Sequence, residues 1–189
     1  MDEDSKGREA GLPYIEAARP GYPVLLDERH VVAERYGTRN VPAGVWIDEE
    51  GRIVRGPEVA SAAQRTPEGE RVPHKKYLNA LRDWVATGAE SVYVRQGRKG
   101  SSVAIQASEE GARAAAHFRL GVYLHGVGES ERAIAHFKRA HALAPENWNY
   151  KRQAWNLGDV ERDYGTTMQA EREKGIPLHA PLEWPEADR

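Results

Sequence analysis

Asn40-Val41-Pro42-Ala43-Gly44-Val45-Trp46-Ile47-Asp48-Glu49-Glu50-Gly51-Arg52-Ile53-Val54 is the stretch on which the fold turns. Val45 and Ile47 alternate with Gly44, Trp46 and Asp48, which predicts a strand over Ala43 to Asp48. Asp48 to Arg52 is a hairpin signal, with Gly51 supplying the positive φ of a bulged turn. Ile53-Val54 is then the returning strand.

Upstream, Leu12, Ile15, Ala17 and Ala18 lie beside charged residues and predict a helix within residues 5 to 18. Pro13 limits it, since proline is comfortable only in a first turn. Arg19 to Pro23 is a loop. Val24-Leu25-Leu26 predicts a short buried strand ending at Asp27. Asp27 caps a short helix through Tyr36, and Gly37 stops it. Downstream, residues 56 to 73 hold three prolines and many polar groups and are predicted to be loop. A helix from about His74 to Thr87 puts Tyr77, Leu81, Trp84 and Val85 on one face, with Gly88 as its stop.

Residues 91 to 107 form a linker or weak hairpin, in which Arg95, Arg98 and Lys99 mark a solvated turn. From Ser108 the pattern is helical, with Glu109 and Glu110 in the first turn where the helix dipole favours them. Ala114 to Leu124 is one helix and Gly126 to Gly128 a turn. Ser130 to Ala144 is a second helix, ended by Pro145. Trp148 to Leu157 is a third, capped by Asn147. Residues 161 to 189 carry Pro177, Pro181 and Pro185 and are expected to be an extended tail with Trp184 docked.

The composition narrows function. The chain has 189 residues, a net charge of -2, and no cysteine. Disulfides, cysteine nucleophiles, thiolate metal sites and a dithiol redox centre are therefore excluded for these residues. A near-neutral balance argues against nucleic acid, whose phosphates need a basic face. No apolar run spans a bilayer. The acidic Met1-Asp2-Glu3-Asp4 is unlike a signal peptide, so a cytoplasmic location is expected of the chain as written. His117, His125, His136 and His141 lie in the helical pair, but none forms the i, i+4 pair with a nearby Glu of a zinc helix. No metal or cofactor is expected. Asp48, Glu49 and Glu50 sit on a hairpin tip, which suits a solvated turn better than acid–base work.

Residues 114 to 147 resemble a tetratricopeptide repeat, whose period is about 34 residues. Leu120-Gly121, Leu124, Ala133, Phe137, Ala140 and Pro145 carry the likeness, and His117 replaces the initial aromatic. The resemblance implies that Gly121 and Ala133 lie where two helices touch. A lone repeat leaves a hydrophobic face bare, so it must pack on the helix from Trp148, on the first domain or on another chain.

Residues 1 to 90 resemble the thioredoxin-like proteins of the ResA/TlpA type. The likeness is carried by Tyr22 to Asp27, by Tyr36-Gly37-Thr38-Arg39-Asn40-Val41-Pro42, and by Val45 to Val54. It implies an α/β fold in which Pro42 is cis and Val41-Pro42 is the loop that contacts a thiol or peptide partner. It also implies thiol-disulfide oxidoreductase activity for the family, none of which these residues can perform alone. The family's first strand, Cys-x-x-Cys helix and second strand are missing, with Met1 to Asp4 resembling the end of that second strand. Either the chain is a noncatalytic scaffold, or its start lies downstream of a redox motif carrying cysteine or selenocysteine. The expected organisation is a partial thioredoxin-like domain over 1–90, a linker over 91–107, an all-α tetratricopeptide-like unit over 108–160 and the tail. The Val24–Asp27 strand and the Ala43–Asp48 strand would stand roughly 14 Å apart, two strand spacings being unfilled. Self-association would cover such a gap, and a noncatalytic protein-interaction module is the competing class.

Overall fold

The computed structural model describes residues 3–94, 108–179 and 184–185. The fold is mixed α/β, with more helix than strand and two small antiparallel sheets. By compactness the chain divides into two units, residues 1–40 with 105–178, and residues 41–104 with 179–189.

In the first unit, α1 (Arg8–Ala18) forms with Pro13 inside it. Pro13 is exposed, so the carbonyl that loses its partner is not sealed from solvent. The expected strand at Val24 to Asp27 is corrected. Only Leu26 has bridge character, and Leu25 is 66% exposed. A strand without flanking strands has no ladder to satisfy its backbone. Asp27 does cap α2 (Val31–Tyr36): its carboxylate accepts from the N–H groups of Val31, Val32 and Ala33 at 2.9, 2.8 and 3.0 Å.

The helical array follows as α4 (Glu109–Gly126), α5 (Ser130–Leu143) and α6 (Trp148–Asn156). Ser108 caps α4 and Asn147 caps α6 through side-chain oxygens. Ala114, Phe118, Leu124, Phe137, Ala140 and Ala154 make one buried core. A Cβ on Gly121 would lie 2.6 Å from the Phe137 ring, so only glycine lets α4 and α5 approach this closely. Ala133 is fully buried in the same core. Ala133→Leu should overpack that contact and cost about 1–3 kcal/mol. A urea titration with an unchanged midpoint would remove Ala133 from the list of residues that set the helix spacing.

The tail expectation is corrected in part. Two short helices, α7 (Val160–Tyr164) and α8 (Met168–Glu173), begin at Asp159 and Thr167, whose side chains accept from Arg162 and Ala170 N–H groups. Their caps were present in the sequence. Five or six residues are too few for a periodic pattern to register.

The second unit holds β1 (Ala43–Ile47) and β2 (Ile53–Val59), paired antiparallel with Ala43 opposite Val59 and Ile47 opposite Ile53. The returning strand is longer than expected, continuing through Gly56-Pro57. Gly56 sits at φ 103, and a Cβ there would meet the Gly44 carbonyl oxygen at 2.6 Å. The register shifts between Gly44 and Ile47 are the irregularity that admits a proline inside a strand. The predicted loop also contains a second hairpin, β3 (Ala63–Arg65) and β4 (Arg71–Pro73). Then α3 (Lys75–Thr87) packs Tyr77, Ala80, Leu81 and Trp84 around Trp46. Val85 is 80% exposed and does not belong to that face. Arg95, Arg98 and Lys99 lie outside the described residues.

The division into units cuts across the boundary expected at residue 90. The reason is a set of long-range hydrogen bonds. Glu3, Ser5, Arg39 and Asn40 bind residues of α6, which ties residues 3–40 to the helical array.

Candidate functional site

The Val41-Pro42 bond is cis, the configuration that the thioredoxin-like resemblance implies. The Pro42 carbonyl accepts from Ala60 N–H at 3.2 Å, which closes the ladder at the open end of the β1–β2 hairpin. Behind the loop, Gly44 lies beneath the Tyr77 hydroxyl and Ala60. Trp46 stacks on Trp84 at 5.0 Å, meets Tyr77 edge-on at 6.2 Å and donates its indole N–H to the Tyr77 hydroxyl at 3.4 Å. Arg55, 4% exposed, pairs with Glu58 at 2.7 Å and lies over the Trp46 and Trp184 rings. A buried guanidinium paired in this way is a structural device. Trp184 is docked, as expected, against His74 and Tyr93. The strand that follows the loop is thus backed by an aromatic cluster, and no acid–base pair lies among the groups just described.

A second constellation lies in the first unit and was not anticipated. His30 is 2% exposed and holds a left-handed backbone at φ 54. Its Nε2 is 2.9 Å from Ser5 Oγ, and its Nδ1 is 3.8 Å from a Glu3 carboxylate oxygen. Asn149 donates to that carboxylate at 2.6 Å, and Gln153 donates to the Glu3 carbonyl at 2.7 Å. Serine, histidine and carboxylate occur here in the order of a nucleophilic triad. The second link is too long for a hydrogen bond. The His30 ring is covered edge-on by Phe118 at 5.1 Å. The geometry anchors residues 3–5 onto α6 and offers no open face for a substrate. Glu3 and Asp4, the described part of the strand end expected at Met1 to Asp4, are not in a strand. Met1 and Asp2 lie outside the described residues. Contacts nearly 150 positions apart left no local signal by which the sequence could announce this cluster.

The histidines of the helical pair are placed by packing. His117 and His136 face each other across α4 and α5 with Nδ1 atoms 2.8 Å apart. One ring must donate and the other accept, so the contact tolerates one Nδ1 proton and not two. Burial, then His136, Arg139 and Arg113, lower the His117 pKa. His141 is driven down to about 4, chiefly by burial, while a hydrogen bond to the Tyr150 carbonyl pulls the other way. Among the described residues, no group of three or more His, Asp or Glu side chains is placed to hold a metal ion.

These shifts set a pH dependence. A histidine whose folded pKa lies below its unfolded value near 6.5 binds fewer protons folded than unfolded between the two. Stability is therefore complete above pH 6.5 and is lost as pH falls toward 4. His141 alone contributes on the order of 3 kcal/mol over that span. Glu171 cannot mimic this: burial raises its pKa, but hydrogen bonds from Lys174, Lys151 and Thr166 bring it to about 2. Its contribution is lost as pH falls from its ordinary value near 4.5 toward about 2, a window below pH 5. Urea midpoints at pH 7.5 and 5 should differ, and His141→Gln should shrink the difference; an equal slope in both proteins would rule His141 out as its source.

Among the described residues, no helix is long and apolar enough to cross a membrane. No protein-family model, no curated protein sequence and no solved structure matches this chain.

Proposed function

We propose that this chain is a thioredoxin-like protein related to thiol-disulfide oxidoreductases, acting through partner binding at the Val41-Pro42 loop. The observation that carries the reading is the order of the second unit: the loop leads into the antiparallel β1–β2 hairpin, and α3 packs on it through Trp46, Tyr77, Ala80 and Trp84. Thiol exchange needs a thiolate, and the chain has no cysteine. The activity left to it is binding of a protein or peptide in extended conformation, main chain to main chain, beside the loop.

Two measurements test this. In an insulin-reduction assay with dithiothreitol, the chain should not accelerate precipitation beyond buffer. In two-dimensional NMR, titration of an extended oxidised peptide should shift the amides of Val41, Ala43 and Gly44 before any others. Shifts confined to α4 would instead favour a noncatalytic helical interaction module. That second reading has its own support: Leu120 and Tyr123 on α4 and Val127 at its C-cap are 41%, 65% and 55% exposed at i, i+3 and i+7.

A further inference from the structure

The array of α5 to α8 lines an open cavity of about 320 Å³, within the size range of small-molecule sites. Its polar wall is rich in donors and short of acceptors. Lys151, with its side chain 5% exposed, pairs with one Glu171 oxygen at 3.0 Å. Lys174 and the Thr166 hydroxyl bind the other oxygen. Both carboxylate oxygens are therefore engaged, and the cavity keeps an excess of positive charge, to which Lys138 adds. Trp155, 7% exposed, forms another part of the wall, and its indole N–H has no hydrogen-bond partner among the described residues. Surplus cations beside a low-dielectric wall favour an anionic ligand. The remaining lining is the His141 imidazole, neutral near pH 7, with Ala142, Pro145, Tyr164 and Ile176.

We propose that this cavity binds a small organic anion, its oxyanion head on Lys138 and Lys174 and its apolar body against Trp155 and Tyr164. The assignment is independent of the partner-binding loop, since every residue it uses lies in the first unit. Lys138 and Lys174 are suited to substitution because both are solvent-facing, the Lys174 side chain being 57% exposed.

The test is an NMR titration of the full chain at low salt with benzoate, phenyl phosphate, benzyl alcohol and inorganic phosphate, following the Trp155 indole N–H signal, assigned by Trp155→Phe. Benzoate or phenyl phosphate should bind with a Kd on the order of 1 mM, typical of so few atoms. The stronger of the two identifies the head as carboxylate or phosphate. The double variant Lys138→Gln/Lys174→Gln should weaken binding about tenfold, the loss expected from about 1.4 kcal/mol. Benzyl alcohol binding as well as benzoate would overturn the role of charge. Inorganic phosphate binding as well as phenyl phosphate would overturn the role of the aromatic wall. No saturable shift of the Trp155 signal with any probe would overturn the site. The comparison among probes uses the unmodified protein, so it decides even if the double variant does not fold.

Discussion

Phe118→Ala should cost about 3–5 kcal/mol and is expected to abolish cooperative unfolding of the helical array at moderate denaturant. Phe118 is 1% exposed and holds three elements at once. It stacks on Tyr150 of α6 at 4.5 Å, tilts against Phe137 of α5 at 5.7 Å and receives the His30 ring beside α2 at 5.1 Å. Truncation would leave a cavity that helices joined by short turns cannot collapse around. It would also uncover His30, whose Nδ1 already lacks a hydrogen-bond partner among the described residues. Far-ultraviolet circular dichroism in urea measures the loss. A midpoint within error of the parent protein would mean that α4, α5 and α6 are not held by this core.

Trp46→Ala should cost a similar amount, about 3–5 kcal/mol, in the second unit. Trp46 is 3% exposed and supplies one member of both aromatic contacts that hold α3 to the hairpin. Its loss leaves the Arg55 guanidinium without one of the two rings it lies over, a cation–π contact at 5.0 Å. Hydrogen exchange should report it as lost protection at β1, β2 and α3. Retained protection there would show that the Trp46 cluster is not what holds this unit, and would weaken the proposed thioredoxin-like reading with it.

Both predictions rest on residues that the sequence marks in different ways. Phe118 and Phe137 follow the helical period, and Gly121 and Ala133 supply the small residues that a close helix crossing demands. Trp46 was legible as packing, though its neighbour Ala80 was not: alanine carries little hydrophobic signal, and Val85 was the more apolar choice for the same face. The Val24 to Leu26 triplet does not form a strand, and its residues do not reveal this, because an apolar triplet looks alike whether or not neighbouring strands exist to pair with it. The hairpin of β3 and β4 leaves no sequence signal, because three-residue strands rich in polar side chains show too little alternation. The Val41-Pro42 loop was found through a resemblance rather than through any chemistry of its side chains, which have none to offer.

By itself, the sequence determined what local chemistry controls. It dictated the α4–α5 helical pair, the β1–β2 hairpin, the cap of α2 by Asp27, and the exclusion of thiol chemistry by an absence of cysteine. Only the tertiary structure decided that residues 3–40 belong with the helices, that Ser5 meets His30 above Gln153, and that Lys151 and Glu171 pair out of water. The physical reason is range. Periodicity and capping act over a few residues and are written in the chain. A buried polar pair is stable only where the whole fold supplies its partner and excludes its solvent, and no run of residues records that by itself.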